Sequence, residues 1–143
     1  MKVVIANDQQ YGPIIRSILE RVQGNSTILD TIGVALFVLA TDDDEPIGVM
    51  HAYQISDIRT YVNAVLLPEA NKDPERNATL ELVFQYLFNS FPDMQKLEVT
   101  IPVSDKKKTR MFSKLGFNRE GVSKKSIRVD GELVDQTFMG RLR

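Results

Sequence analysis

Apolar residues along this chain switch between a period of two and the helical period, and the switches mark out the elements. Residues 3–6 form a first strand, with Asp8 placed to cap the helix behind it. Tyr11, Ile14, Ile15, Ile18, Leu19 and Val22 then recur at helical spacing, so this helix buries one face against a sheet and tolerates Pro13 in its first turn. Gly24, Asn25 and Ser26 end it, and residues 27–32 read as a second short helix. Segments 35–40 and 47–53 are rich in apolar residues and flank the acidic turn at 42–45, which makes them an antiparallel hairpin. Segment 60–67 is the next strand. Asp73, Pro74 and Glu75 then open a helix that carries Leu80, Val83, Phe84, Leu87 and Phe88 inward, with proline where a missing N–H costs nothing.

The last third has the sharpest pattern. Leu97, Val99 and Ile101 alternate with Glu98 and Thr100, as in a strand with one buried face. Ser104 or Asp105 can cap a short helix with Met111, Phe112 and Leu115 on one side, and Gly116 supplies its left-handed stop. A strand from Phe117 runs through Val122 and Ile127 to Asp130 and Gly131, a two-residue hairpin turn, and returns along Leu133 and Phe138.

Composition narrows the chemistry. A chain of 143 residues fits a single domain, 1–143, with a real core. No stretch approaches the roughly 18 apolar residues that cross a bilayer, so a soluble, cytoplasmic protein with no membrane partner is expected. The start of the chain is too short and too strand-like for a signal peptide. Without cysteine there are no disulfides, thiol nucleophiles or thiolate metal sites, and with a single histidine no zinc site is expected. Charge is near balance but unevenly placed: residues 105–128 hold nine Lys or Arg against Asp105 and Glu120. These charges spread over a helix and a hairpin with no recognition motif, so nucleic acid is not the expected partner.

The string KLGFNREGV at 114–122, followed by Asp130, Gly131 and Asp135, resembles the C-terminal half of the GNAT (GCN5-related) N-acetyltransferases. It is most similar to the branch that acetylates protein N-termini, of the ribosomal-protein-alanine type. Pro68 and Glu69, the helix ending in Tyr86, Leu87 and Phe88, the pair Leu97 and Glu98, and the pair Gly116 and Phe117 extend the resemblance over 60–143, with topology alone supporting the rest. The resemblance implies an α/β (mixed α+β) fold: a mixed sheet of about seven strands with helices on both faces. It also implies acetyl-CoA as co-substrate and a primary amine, of a small molecule or a peptide, as acceptor. The pantetheine arm would slot between the strand ending near Leu67, beside Leu66, and the strand starting near Leu97. The pyrophosphate would sit on the loop and helix start that follow, where free N–H groups and the helix dipole favour an anion.

By that resemblance the cofactor residues are Leu66, Asn71, Lys72, Arg76 and Asn77, with Asp105, Lys108 and Phe112 from the short helix. The loop departs from the family pattern of Gln or Arg, two residues, Gly, one residue, then Gly or Ala. Asn71 takes the first place, Pro74 stands for the first glycine and Arg76 for the second small residue. Pro74 removes a donor, Asp73 can occupy the helix N–H groups with its own carboxylate, and Asp73 and Glu75 add negative charge that Lys72 and Arg76 partly offset. Phe112 stands where many relatives carry the tyrosine that reprotonates the thiolate. Asp105 and Lys108 stand where the N-terminal branch often has Asn and Ser.

Glu98 and His51 are the candidate catalytic bases. Glu98 matches a glutamate of the branch, and His51 lies in an apolar strand with an ordinary pKa suited to proton transfer near neutrality. Asp57 reads as a turn residue, and Tyr53 and Tyr61 can line the acceptor cleft. Two functions follow. One is acetyl transfer from acetyl-CoA to an amine. The other, from the departures at Pro74, Arg76 and Phe112, is a GNAT-like module, for example viral or regulatory, that binds a macromolecular partner and does not bind acetyl-CoA productively.

Overall fold

The computed structural model of the chain describes residues 1–6, 8–30 and 33–143, and the side chains at 8–10 and 30 fall outside the described part. The cap expected of Asp8 and the end of the short helix expected at 27–32 therefore lie outside the described residues. Seven strands are formed: β1 (Lys2–Ile5), β2 (Ala35–Ala40), β3 (Pro46–Gln54), β4 (Arg59–Leu66), β5 (Lys96–Pro102), β6 (Asn118–Val129) and β7 (Glu132–Leu142). They make one sheet in the order β1-β2-β3-β4-β5-β7-β6, antiparallel except between β4 and β5. The helices are α1 (Asp8–Gln23), α2 (Pro68–Lys72), α3 (Arg76–Ser90) and α4 (Lys106–Lys114), with a 3-10 turn at Thr27–Asp30.

The period-two pattern assigns the sheet faces. On one side Ile15, Ile18 and Leu19 of α1 pack on Leu36, Val38, Val49 and Val65. On the other, Leu80, Val83, Phe84 and Leu87 of α3 and Met111 and Phe112 of α4 pack on Met50, Val62, Leu97, Val99 and Ile101. Ile14 and Val22, expected to face inward, are exposed, because the stripe that meets the sheet is narrower than the spacing alone implies. The helix begins at Asp8, so Pro13 falls in its second turn, where it removes one backbone bond.

Local signals at the C-terminal end hold closely. Asp105 caps α4 by accepting from the Lys108 N–H at 3.1 Å, and Gly116 takes φ 87° behind that helix. Asp130 and Gly131 carry positive φ, as a two-residue hairpin turn of the primed kind requires. The segment after β4 differs from expectation. Residues 68–72 form a separate short helix, and Asp73, Pro74 and Glu75 are a turn that precedes α3 rather than its first turn. Asp73 Oδ1 accepts the Glu75 N–H at 2.8 Å, and no side chain caps α3.

The feature that positions the site is the contact between β4 and β5, which pair at only three positions: Arg59 with Lys96, Thr60 with Leu97, and Tyr61 with Glu98. Beyond Tyr61 the strands part. Phe112 of α4 is fully buried, its ring 5.0 Å from that of Phe117 and 6.4 Å from that of Phe84. The substitution Phe112→Ala is expected to cost about 3–5 kcal/mol, read as a shift in urea midpoint at unchanged slope.

Candidate active site

Where β4 and β5 part, two clefts open and meet. The smaller, about 640 Å³, lies between the end of β4, α2, the start of α3 and the outer side of α4. Leu66, Pro68, Asn71 and Met111 line it, together with six basic side chains: Lys72, Arg76, Lys107, Lys108, Arg110 and Lys114. Asp105 is the one acid on that lining among the described residues. The larger cleft, about 930 Å³, lies over the α1 side of the sheet. It is walled by the end of α1, β3 and β4 through His51, Tyr53, Tyr61 and Asn63, the end of β5 through Thr100, and the β6–β7 hairpin through Arg128, Asp130 and Gln136. Val22, Ala64, Asp105 and Lys108 line both.

At the junction the backbone of β4 lacks a neighbour. The Ala64 amide is instead taken by the side chain of Asn63, whose Oδ1 accepts it at 2.9 Å. A ligand that extends this strand edge has only to displace a side chain.

Three ionisable groups near the junction are displaced from their ordinary pKa values. His51 is 3% exposed, its ring stacked 6.3 Å from that of Tyr61, and among the described residues neither ring nitrogen has a hydrogen-bond partner. Burial first, and the charge of Lys108 second, lower its pKa to about 4, so the imidazole is neutral at physiological pH. Lys108 is partly exposed as a residue, but burial of its ammonium lowers its pKa to about 8 against the opposing pull of Asp105. Tyr61 shares a hydrogen bond with Thr100 Oγ1 at 3.2 Å, and burial pushes its phenol pKa up.

The other sequence candidates fall into two groups. Leu66, Asn71, Lys72, Arg76, Asp105 and Lys108 are brought together on the smaller cleft. Asn77 does not line it; its Oδ1 accepts from Arg76 Nε at 3.0 Å, while Arg76 Nη1 reaches both Asn71 oxygens at 3.3 Å. Phe112, expected at the cofactor, belongs to the core, because its place on α4 faces Phe84 and Phe117. Glu98, expected as a base, does not line either cleft: Arg59 holds its carboxylate in a two-pronged contact at 2.8 and 2.9 Å, and Lys96 stands at 3.6 Å. That contact with Arg59 keeps the Glu98 carboxyl below the usual range. Asp73 and Glu75, expected to repel a bound pyrophosphate, do not line the cleft. The Asp73 carboxylate serves the Glu75 N–H, and the Glu75 carboxylate pairs with the Met1 ammonium at 3.2 Å. Asp57 lies in the bend between β3 and β4, as read.

Sequence reasoning missed Asn63, Thr100, Gln136, Lys107, Arg110 and Lys114. Asn63 had a signal, an amide inside the apolar run of β4. For the basic residues of α4 the signal was the uneven charge of residues 105–128, but only the placement of the neighbouring strands decides which of them enter a cleft.

No protein-family model matches the sequence, and no curated protein matches it. Solved structures do. A point mutant of spermidine N-acetyltransferase SpeG from Vibrio cholerae aligns at TM-score 0.83 and 14% identity over 99% of this chain and 95% of that one. The dodecameric structure of spermidine N-acetyltransferase from Vibrio cholerae in an intermediate state aligns at TM-score 0.80 and 14% identity, over 99% and 92%. The fold is therefore that of the GNAT acetyltransferases. The finer likeness to the branch acting on protein N-termini rests on the sequence motifs alone.

Neutral, unpartnered His51 makes a stability prediction. Its folded pKa lies below the unfolded value of 6.5, so its contribution is present above that value and is lost as pH falls toward about 4. Between pH 7 and pH 5 the loss is about 2 kcal/mol. Denaturant melts at the two pH values should show it, and His51→Gln should flatten the difference.

Proposed function

We propose that this protein is an N-acetyltransferase that moves an acetyl group from acetyl-CoA to a primary amine. The observation that carries the reading is the joining of the two clefts where β4 leaves β5. A slot lined by cations runs directly into a polar, aromatic chamber, as a two-substrate transfer between an anionic donor and an amine requires. Lys72, Arg76, Lys107, Arg110 and Lys114 are the groups to meet the phosphates, as side-chain charges in place of the glycine loop of the family pattern. The open edge at Ala64 to Leu66 is the place for the amide-bearing pantetheine arm.

Transfer needs a neutral amine whose lone pair attacks the thioester carbonyl. Here the charge of Lys108 at the junction disfavours an ammonium ion, and the neutral His51 ring adds no second positive charge to the chamber wall. His51 thus serves as a neutral part of the chamber wall rather than as the base, since a group of pKa about 4 holds little proton affinity and both its nitrogens are buried. Glu98 acts as a structural clamp through Arg59.

The acceptor is a molecule with one amine rather than a polycation. Among the described residues, Asp105 and Asp130 on the large cleft are matched by Lys108 and Arg128, so the described lining carries no acidic excess to hold a multiply charged chain. A monoamine with a flat apolar part fits against Tyr53 and Tyr61, and a peptide N-terminus is the larger member of the same class.

Calorimetric titration with acetyl-CoA is expected to give a micromolar Kd that weakens with salt, and the double variant Lys72→Ala with Arg110→Ala should raise it about tenfold. Thiol release should be faster with phenylethylamine or an alanyl peptide than with spermidine. No heat, with an unchanged melting temperature at millimolar acetyl-CoA, would overturn the reading in favour of an interaction module. Glu98→Gln should leave turnover within about threefold and cost about 1 kcal/mol or less, because the ion pair is partly exposed.

A further inference from the structure

We propose that Lys108 is the proton donor to the thiolate that leaves during acetyl transfer. The inference rests on the acetyltransferase reading and adds the group that completes the reaction. Expulsion of an alkyl thiolate is slow unless the sulfur is protonated or held by a positive charge, and that group must stand where donor and acceptor meet.

Among the described residues only Val22, Ala64, Asp105 and Lys108 line both clefts, and of these four Lys108 alone carries side-chain protons to give. The Asp105 carboxylate is engaged at the helix start, accepting the Lys108 backbone N–H. Among the described residues no carboxylate pairs with the Lys108 ammonium, so its N–H groups remain available to a ligand. One turn further along α4, Phe112 has no proton to offer and is sealed in the core. The Tyr61 hydroxyl already pairs with Thr100 and lines only the acceptor chamber.

The charged and titratable surroundings of Lys108 suit the role. His51 from β3 and Tyr61 from β4 face it on the acceptor side, with Arg128 and Asp130 from the hairpin. Lys72 and Arg76 face it across the smaller cleft, and Asp105, Lys107 and Arg110 flank it on its own helix. Burial lowers its pKa to about 8, which leaves it protonated at neutral pH yet a better donor than an ordinary lysine.

The step balances. The amine nitrogen forms a bond to the carbonyl carbon, the carbon–sulfur bond breaks with its electron pair on sulfur, and Lys108 Nζ gives one proton to that sulfur. The nitrogen of the new amide releases one proton, which returns through solvent to Lys108, so the net products are the acetylated amine and free CoA thiol.

Free thiol released from acetyl-CoA is measured for wild type and Lys108→Met, with phenylethylamine as acceptor and, in parallel, with water alone. Lys108→Met is expected to lower kcat about 100-fold while the Kd for CoA stays within about threefold. Wild-type kcat should fall above pH about 8, where the donor loses its proton, and this limb should be missing from the variant's residual rate. A structural role for Lys108 would lower the rate equally at every pH and leave no such limb. Thermal melting checks that the variant folds, and removal of a buried charge should leave it at least as stable as wild type. Full kcat in Lys108→Met, or a wild-type kcat with no descending limb, overturns the assignment while leaving the acetyltransferase reading intact. A wild-type protein that neither binds acetyl-CoA nor releases its thiol overturns both.

Discussion

The site exists because β4 and β5 are pulled in different directions after their third pair. The far end of β4 stays bound to β3, with Leu66 opposite Gly48 and the Leu67 amide donating to the Ile47 carbonyl at 2.9 Å. The far end of β5 stays bound to β7, with Pro102 opposite Gln136 and the Val103 amide donating to the Asp135 carbonyl at 3.0 Å. Two antiparallel half-sheets, each with its own twist, share one short parallel seam, and twist opens the seam at one end. The closed end is clamped by the fork of Arg59 on Glu98, with Lys96 bridging Glu98 and Glu120. Glu98 thus sits where the strands separate as part of what holds them together below the gap.

An open seam exposes backbone polar groups, and those groups must find partners. Asn63 covers the Ala64 amide in the free protein. The cations of α2, α3 and α4 gather on the same opening, which accounts for the unequal charge along the chain: much of the excess on residues 105–128 belongs to the face of α4 that borders the clefts. Burial then separates His51 from Lys108 in function. The first is kept neutral by its burial and by the nearby charge of Lys108, and the second holds its proton less tightly because its ammonium is buried.

Much of this was legible in the sequence. The alternation of Leu97, Val99 and Ile101, the turn at Asp130 and Gly131 and the stop at Gly116 each fix a local conformation by their own chemistry, and each appears where it was read. The seven-stranded sheet with helices on both faces followed from those elements and the GNAT resemblance. Residues 68–72 did not read as a helix, because five residues carry too little periodicity. The start of α3 was misplaced because Asp73 and Pro74 suit a turn as well as a cap. At the site, His51 stood out as a polar residue in an apolar strand. Arg59 could not be matched to Glu98 without the register, and nothing in the run of lysines at 106–108 distinguishes the one that enters both clefts. Phe112 has no proton to donate on its chemistry alone, but its burial depends on Phe84 and Phe117 closing around it.

The central claim is that the parting of β4 from β5 is a binding slot for acetyl-CoA. Hydrogen–deuterium exchange of the protein with and without saturating acetyl-CoA tests it most directly. The account predicts slowed exchange at the amides of Ala64 and Leu66 and around the turn from α2 to α3, with the closed end at Arg59 to Tyr61 unchanged. Binding that leaves Ala64 and Leu66 exchanging as in the free protein, or that protects a surface away from the gap, would contradict it.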